Sequence, residues 1–250
     1  ALPIFMIVYQ YIISYLLLFA IGGVCGWVLE FFFRRIVHKQ WVNPGFLNGP
    51  LLPLYGFGVI ILYAIADINI ESYWKILLYL VLLTLLEYIA GIIFIKGMGL
   101  KLWDYSKRWG NIQGIICPLF SAAWCAVGAL FLFFLYEPLK QVFSWSMANI
   151  DFSFFLGLLY GILVIDMCIS FNVSLHLREF AKKAKEVISY EQIKNYIMVK
   201  NKESKAKLRF VLPFKTKDFT KTLENYMSEL KERASKLKEE KKKKIGRAHV

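Results

Sequence analysis

Three acidic residues, Glu30, Glu87 and Asp166, sit inside otherwise apolar runs of this 250-residue chain. A charged side chain in hydrocarbon costs on the order of a few kcal/mol or more, so each is a candidate for lining a substrate or cation path. Each also has a structural reading. Glu30 stands four residues before Arg34, the spacing of a helical ion pair. Asp166 can bond to nearby hydroxyls or backbone. Glu87 has no basic residue close by in sequence and is the hardest of the three to explain structurally. Two further segments carry polar groups. Asn43-Pro44-Gly45-Phe46-Leu47-Asn48-Gly49-Pro50, continuing to Pro53, Tyr55 and Gly56, cannot all be regular helix, and broken backbone leaves amides and carbonyls free to bind a ligand. Trp103-Asp104-Tyr105-Ser106, with Lys107, Arg108, Trp109, Asn111 and Gly114, has the aromatic and basic mixture of a segment at headgroup level. Interface anchoring accounts for its aromatics but less well for Asp104 and Asn111. The candidate path residues are therefore Glu30, Glu87, Asp166, Asn43, Asn48, Tyr55, Asp104, Tyr105 and Asn111.

No nucleophile–base pair accompanies these acids. His38, His176 and His249 are scattered, and Cys25, Cys117, Cys125 and Cys168 form no metal or redox spacing, so the cysteines read as small buried hydrophobes. An intramembrane enzyme using paired carboxylates is thus the least supported class, with no catalytic residue, metal or cofactor assigned.

The elements that must position these residues are membrane spans. Hydrophobic residues make up 58% of the chain, more than a soluble domain of this size can bury. A helix needs roughly 20 apolar residues to cross the hydrocarbon core. Five runs qualify: Ile4 to Leu29, about Phe46 to Ala66, Ile76 to Ile95, about Gly114 to Tyr136, and about Phe152 to Ser174. The first carries no charge and no basic leader, and it is too long for a signal peptide. The second is the weakest, since Pro50, Pro53 and three glycines crowd its start; it is expected to cross with an irregular first turn. Gly22 with Gly26, and Gly157 with Gly161, have the spacing that lets helix backbones approach closely.

Orientation follows the basic residues. The first and third loops hold Arg34, Arg35, Lys39, Lys96, Lys101, Lys107 and Arg108, whereas the second and fourth hold only Lys75 and Lys140. The basic loops and tail are therefore predicted to be cytoplasmic, with the N-terminus outside. All three acids then fall in the cytoplasmic half of the bilayer. The expected fold is all-α: a polytopic membrane bundle of about five transmembrane helices, N-out and C-in.

The net charge of +13 lies almost wholly in the tail, because nine Lys/Arg stand against eight Asp/Glu up to residue 174 and 22 against ten beyond it. The organisation read from this is a transmembrane domain at 1–174 and a basic cytoplasmic helical tail at 175–244. Next to a membrane domain the partner implied by such a tail is an anionic lipid surface rather than nucleic acid. The tail is expected to be helical over 175–200 and to break at Pro213. It should resume at Asp218, where Phe219, Leu223, Tyr226, Leu230 and Leu237 mark a heptad stripe suited to a coiled-coil partner or the bilayer. Residues 245–250 resemble the translation of a common sequencing adapter and are set aside, and the absence of an initial Met leaves the N-terminus open.

Taken in order, Gly26-Trp27 with Glu30, the Asn43–Gly49 stretch with Pro50, Pro53, Tyr55, Gly56 and Gly58, then Glu87, then Trp103-Asp104-Tyr105-Ser106 with Asn111 and Gly114, resemble the putative ABC-transporter type IV family of bacterial membrane proteins. The resemblance covers roughly residues 15–135. One departure is Pro44, where the family is expected to carry Arg; if that Arg binds a ligand, this chain should bind it less well. The resemblance implies a transport permease subunit of a bacterial cell membrane. The chain has no Gly-rich loop followed by Lys and Ser/Thr, so an ATP-driven transporter of this kind would take its ATPase from a separate subunit. The competing reading is a membrane scaffold or sensor whose tail recruits partners or anionic lipid.

Overall fold

A computed structural model describes residues 4–39, 41, 43–184, 188, 189 and 228. The chain divides into two compact units, 1–189 and 190–250. In the second only Ser228 is described, and it is helical and exposed. The break at Pro213, the heptad stripe of 218–244 and the segment 245–250 therefore lie outside the described residues.

The first unit is built of helices, as hydrocarbon demands, because a helix satisfies its own backbone where water is absent. The first helix, α1, spans Ile4–His38. It stops where Lys39 takes a left-handed φ of 54°, and the Arg35 guanidinium donates to the Lys39 carbonyl at 2.6 Å. A cation on the last carbonyls of a helix offsets its dipole. Helix α2, Pro53–Ala66, opens with Pro53, whose missing N–H costs nothing in the first turn. Helix α3, Ser72–Ile92, widens into a π-helical turn at Ile93–Met98 and ends on Gly99 at φ 68°. Helix α4, Pro118–Leu130, again starts on proline, and a π turn at Phe131–Leu135 leads to α5, Tyr136–Ala148. A 3-10 turn at Ile150–Phe152 precedes α6, Ser153–Ala184.

Among the described residues four helical stretches, at 4–37, 72–98, 118–148 and 150–171, are long and apolar enough to cross a membrane. The fifth expected span differs from its reading in sequence. Helix α2 has 14 residues and rises about 21 Å, short of the ~30 Å hydrocarbon core. The irregular stretch before it runs over 43–52, more than a single turn. The cause is local: Pro50 and Pro53 lack donors and push the preceding residues out of helix, and Gly45 sits at φ 78°. The start of α4 also moves, from Gly114 to Pro118. Helix α6 continues through residue 174, where hydropathy ended the last span, and is described as far as Ala184. Of the helix expected over 175–200, residues 175–184 are helical, whereas Ile188–Ser189 is extended and pairs in parallel with Leu100–Lys101, which suits the β-branched Ile188; residues 185–187 and 190–200 lie outside the described residues.

Helix α2 lies antiparallel to α1, with Tyr55 over Gly26, Val59 over Gly22 and Tyr63 edge-on to Tyr15. Helix α3 is antiparallel to α2, and α4 to α3. Tyr79 is central: its hydroxyl donates to the Leu62 carbonyl at 3.0 Å while its ring lies on Gly128. The core joins Leu18, Leu62, Tyr63, Tyr79, Leu83, Phe131 and Phe143. Lipid tails are as apolar as these side chains, so close packing rather than water exclusion holds them together. The same logic governs the cysteines. Among the four, Cys117 is buried, Cys125 is half-buried, and Cys25 and Cys168 are exposed, which corrects the expectation that all lie inside.

The two glycine pairs separate in role. A Cβ on Gly26 would overlap the Tyr55 ring, and one on Gly22 would meet Val59, whereas Gly157 and Gly161 have nothing within 4 Å. Overpacking costs roughly 1–3 kcal/mol. Gly26→Ala is therefore expected to destabilise the bundle by about 2 kcal/mol or more in unfolding titrations in mixed micelles, with Gly157→Ala within ~0.5 kcal/mol of the parent.

Candidate functional site

Glu87 is 3% exposed, on the face of α3 that meets α4. Both its oxygens are engaged. The Tyr105 hydroxyl donates to Oε1 at 3.1 Å and the Trp124 indole donates to Oε2 at 3.0 Å. Both donors are neutral, so they solvate the carboxylate without balancing its charge.

Tyr105 reaches Glu87 because the loop between the π turn and α4 is tightly organised. Ser106 donates to Asp104 Oδ1 through its amide at 2.9 Å and also through its hydroxyl. These bonds, the hydroxyl first, hold the Asp104 carboxyl below the usual carboxylate range. Lys101 lies 3.4 Å from Asp104. Asn111 donates to the carbonyls of Ser106 and Arg108 and accepts from the Gly114 amide at 3.0 Å. Gly114, at φ 69°, leaves no room for a Cβ beside Ser106, and its carbonyl accepts from the Tyr105 amide at 2.8 Å. The Tyr105 ring stacks on Phe120 at 4.3 Å. Burial, then the Glu87 carboxylate, push its phenol above its ordinary value, so it remains a donor. Asp104 and Asn111 thus shape the loop, and Tyr105 is the residue the loop delivers.

On the other side of the bundle, Glu30 Oε1 pairs with Arg34 at 3.1 Å, as the helical spacing predicted, and Glu30 Oε2 accepts from the Tyr55 hydroxyl at 3.2 Å. The Tyr55 ring meets Trp124 edge-on at 5.7 Å. Arg34, Glu30, Tyr55, Trp124, Glu87 and Tyr105 therefore form a continuous polar and aromatic line across α1 to α4 and the loop.

Asp166 does not join this line. It binds the irregular segment, accepting from the Gly49 amide at 2.8 Å, the Asn48 amide at 3.2 Å and the Asn48 side chain at 3.0 Å, with Ser170 at 3.4 Å. Asn43, at the start of the same segment, ties it to α1: it accepts from the Trp27 indole at 2.6 Å and donates to the Asn48 carbonyl at 2.7 Å. The Leu52 amide donates to the Gly23 carbonyl at 3.0 Å. Most of these bonds satisfy backbone groups that have left helical geometry. Asn43, Asn48 and Asp166 are thus tied to one another, apart from Glu30 and Glu87.

Sequence reasoning missed Trp124 and Ser170. A tryptophan within an apolar helix must place its indole N–H somewhere, and that need was the available signal. Among the described residues no group of His, Cys, Asp and Glu is arranged to hold a metal ion.

A family model described as putative ABC-transporter type IV matches residues 17–171, a span that takes in every residue of both clusters. No curated protein and no solved structure matches the chain.

An Asp166→Asn substitution keeps the shape but turns one acceptor into a donor facing an amide. Leaving such a group unpaired costs about 1–3 kcal/mol. Hydrogen exchange followed by mass spectrometry is expected to show the amides of Asn48 and Gly49 exchanging roughly tenfold faster, with peptides from α3 unchanged.

Proposed function

The chain belongs to the putative ABC-transporter type IV family, and from that membership we propose that this multi-pass membrane protein is the permease subunit of a transporter in a bacterial cell membrane. Its polar site is the line from Arg34 to Tyr105, and its ATPase is a separate subunit. The observation that carries the reading is Glu87. A carboxylate enclosed on both oxygens by neutral donors is short of one positive charge, and a cationic substrate group passing through the bundle supplies it. Glu30 and Tyr55 extend the path toward α1. Five crossings, N-out and C-in, put this site in the cytoplasmic half, and the buried bonding of 43–52 supports a crossing made by that segment together with α2.

The scaffold or sensor reading is favoured by one observation, the concentration of basic residues beyond residue 174. It requires no flux, which makes it separable.

Inside-out vesicles carrying the full chain and its co-purified partners test both function and orientation. ATP-dependent accumulation of a panel of labelled inorganic and organic cations is expected for the parent. Glu87→Gln should lower it about tenfold or more at equal protein level, the loss of about 1.4 kcal/mol or more of interaction. A membrane-impermeant maleimide is expected to label Lys107→Cys in these vesicles and not in intact cells. Accumulation no higher than in empty vesicles removes the permease reading and leaves the scaffold. Labelling from outside intact cells removes the five-span arrangement.

A further inference from the structure

The stretch that delivers Tyr105 to Glu87 is tied down at both of its ends. It leaves the π turn at Gly99, whose left-handed φ of 68° turns the chain off the helix. Leu100, fully buried, and Lys101 then pair in parallel with Ile188 and Ser189. Four residues after Lys101, the Tyr105 hydroxyl donates to Glu87. The interval is internally bonded: Lys101 lies 3.4 Å from Asp104, and Asp104 takes both the amide and the hydroxyl of Ser106. A displacement at 100–101 therefore has only a short, stiff stretch in which to dissipate before it reaches Tyr105.

The two ties differ in strength. The α6 side is firm, since the Phe171 ring meets Phe46 at 5.2 Å and Phe46 meets Phe94 of the π turn, also at 5.2 Å. The strand pair is slight. Among the described residues it is the one sheet, two residues long and with unpaired edges on both sides. Hydrocarbon does not tolerate open sheet edges, so the pair sits where water can take over its bonds. Such a bond shifts an equilibrium by roughly 2- to 12-fold. A pair of this length stays closed most of the time, yet it can open locally while the helices stay packed.

We propose that Ile188–Ser189 is a latch on the Tyr105 loop. Paired, it holds Tyr105 on Glu87 and keeps water from the carboxylate. Released, it lets the loop lift and exposes Glu87. The residue after Ser189 opens the second unit, 190–250, so the latch lies on the chain that leads into the basic tail. Its purpose rests on the permease reading, but its motion is measured without flux, so either can fail alone.

The test treats the full chain in phosphatidylcholine nanodiscs with a water-soluble carbodiimide and glycine ethyl ester, which together amidate carboxyls that water reaches. Mass spectrometry then quantifies each site. The double variant Ile188→Pro/Ser189→Pro removes both backbone donors of one strand. It should raise amidation of Glu87 at least about fivefold, the worth of the lost bonds, and leave Asp166 within about twofold of the parent. A second arm needs no proline. Lys101 and Ser189 are partners in the register, so Lys101→Cys/Ser189→Cys, in a chain with its four native cysteines replaced by serine, closes the pair covalently on oxidation. Amidation of Glu87 should be at least about threefold slower in the oxidised form than in the same protein after reduction, because only the reduced form opens. Equal amidation of Glu87 in the oxidised and reduced forms overturns the proposal, whatever the proline variant does. So does a proline variant that leaves Glu87 at the parent's level.

Discussion

The interaction on which the arrangement depends is the enclosure of Glu87. Hydrocarbon offers no water, so a carboxylate there must be solvated by the protein itself. Its two donors come from consecutive elements, the 100–117 loop and α4. Placing Tyr105 requires the whole loop to hold its shape, which explains why Asp104, Ser106, Asn111 and Gly114 bond within the loop. Placing Trp124 requires α4 to lie close to α3, and Gly128 beneath the Tyr79 ring allows that approach.

A second demand of the same kind is met by different residues. The segment 43–52 leaves helical geometry at buried depth, so its amides and carbonyls need partners. Asp166 answers from α6, and Asn43 answers from within the segment, held in turn by Trp27 of the first helix. The two clusters divide the acidic residues by task. Asp166 spends its oxygens on backbone that would otherwise be unpaired. Glu87 spends its own on two neutral side-chain donors, Tyr105 and Trp124.

Much of this was legible in the sequence, and the reason is periodic hydrophobicity. Long apolar runs, broken only by Glu87 in α3 and Asp166 in α6, identified α1, α3, α4 and α6, and the four-residue spacing gave the Glu30–Arg34 pair. Long-range partners were not legible, because nothing local in the chain says that Tyr105 turns back to Glu87 or that Asp166 meets Gly49. The extent of the irregular segment was underestimated, since prolines announce a break without saying where helix resumes. Glycine spacing was ambiguous for a physical reason: Gly22 and Gly26 pack against α2, while Gly157 and Gly161 carry the same spacing on a face that nothing in the described residues covers.

The central claim is that Glu87 and Tyr105 are one energetic unit. A double-mutant cycle of Glu87→Ala and Tyr105→Phe, followed by reversible unfolding in mixed micelles, measures it directly. The enclosure described here predicts a coupling of about 1–3 kcal/mol, because removing either partner strands the other in a site without water. Additive effects, within about 0.3–0.5 kcal/mol, would contradict it.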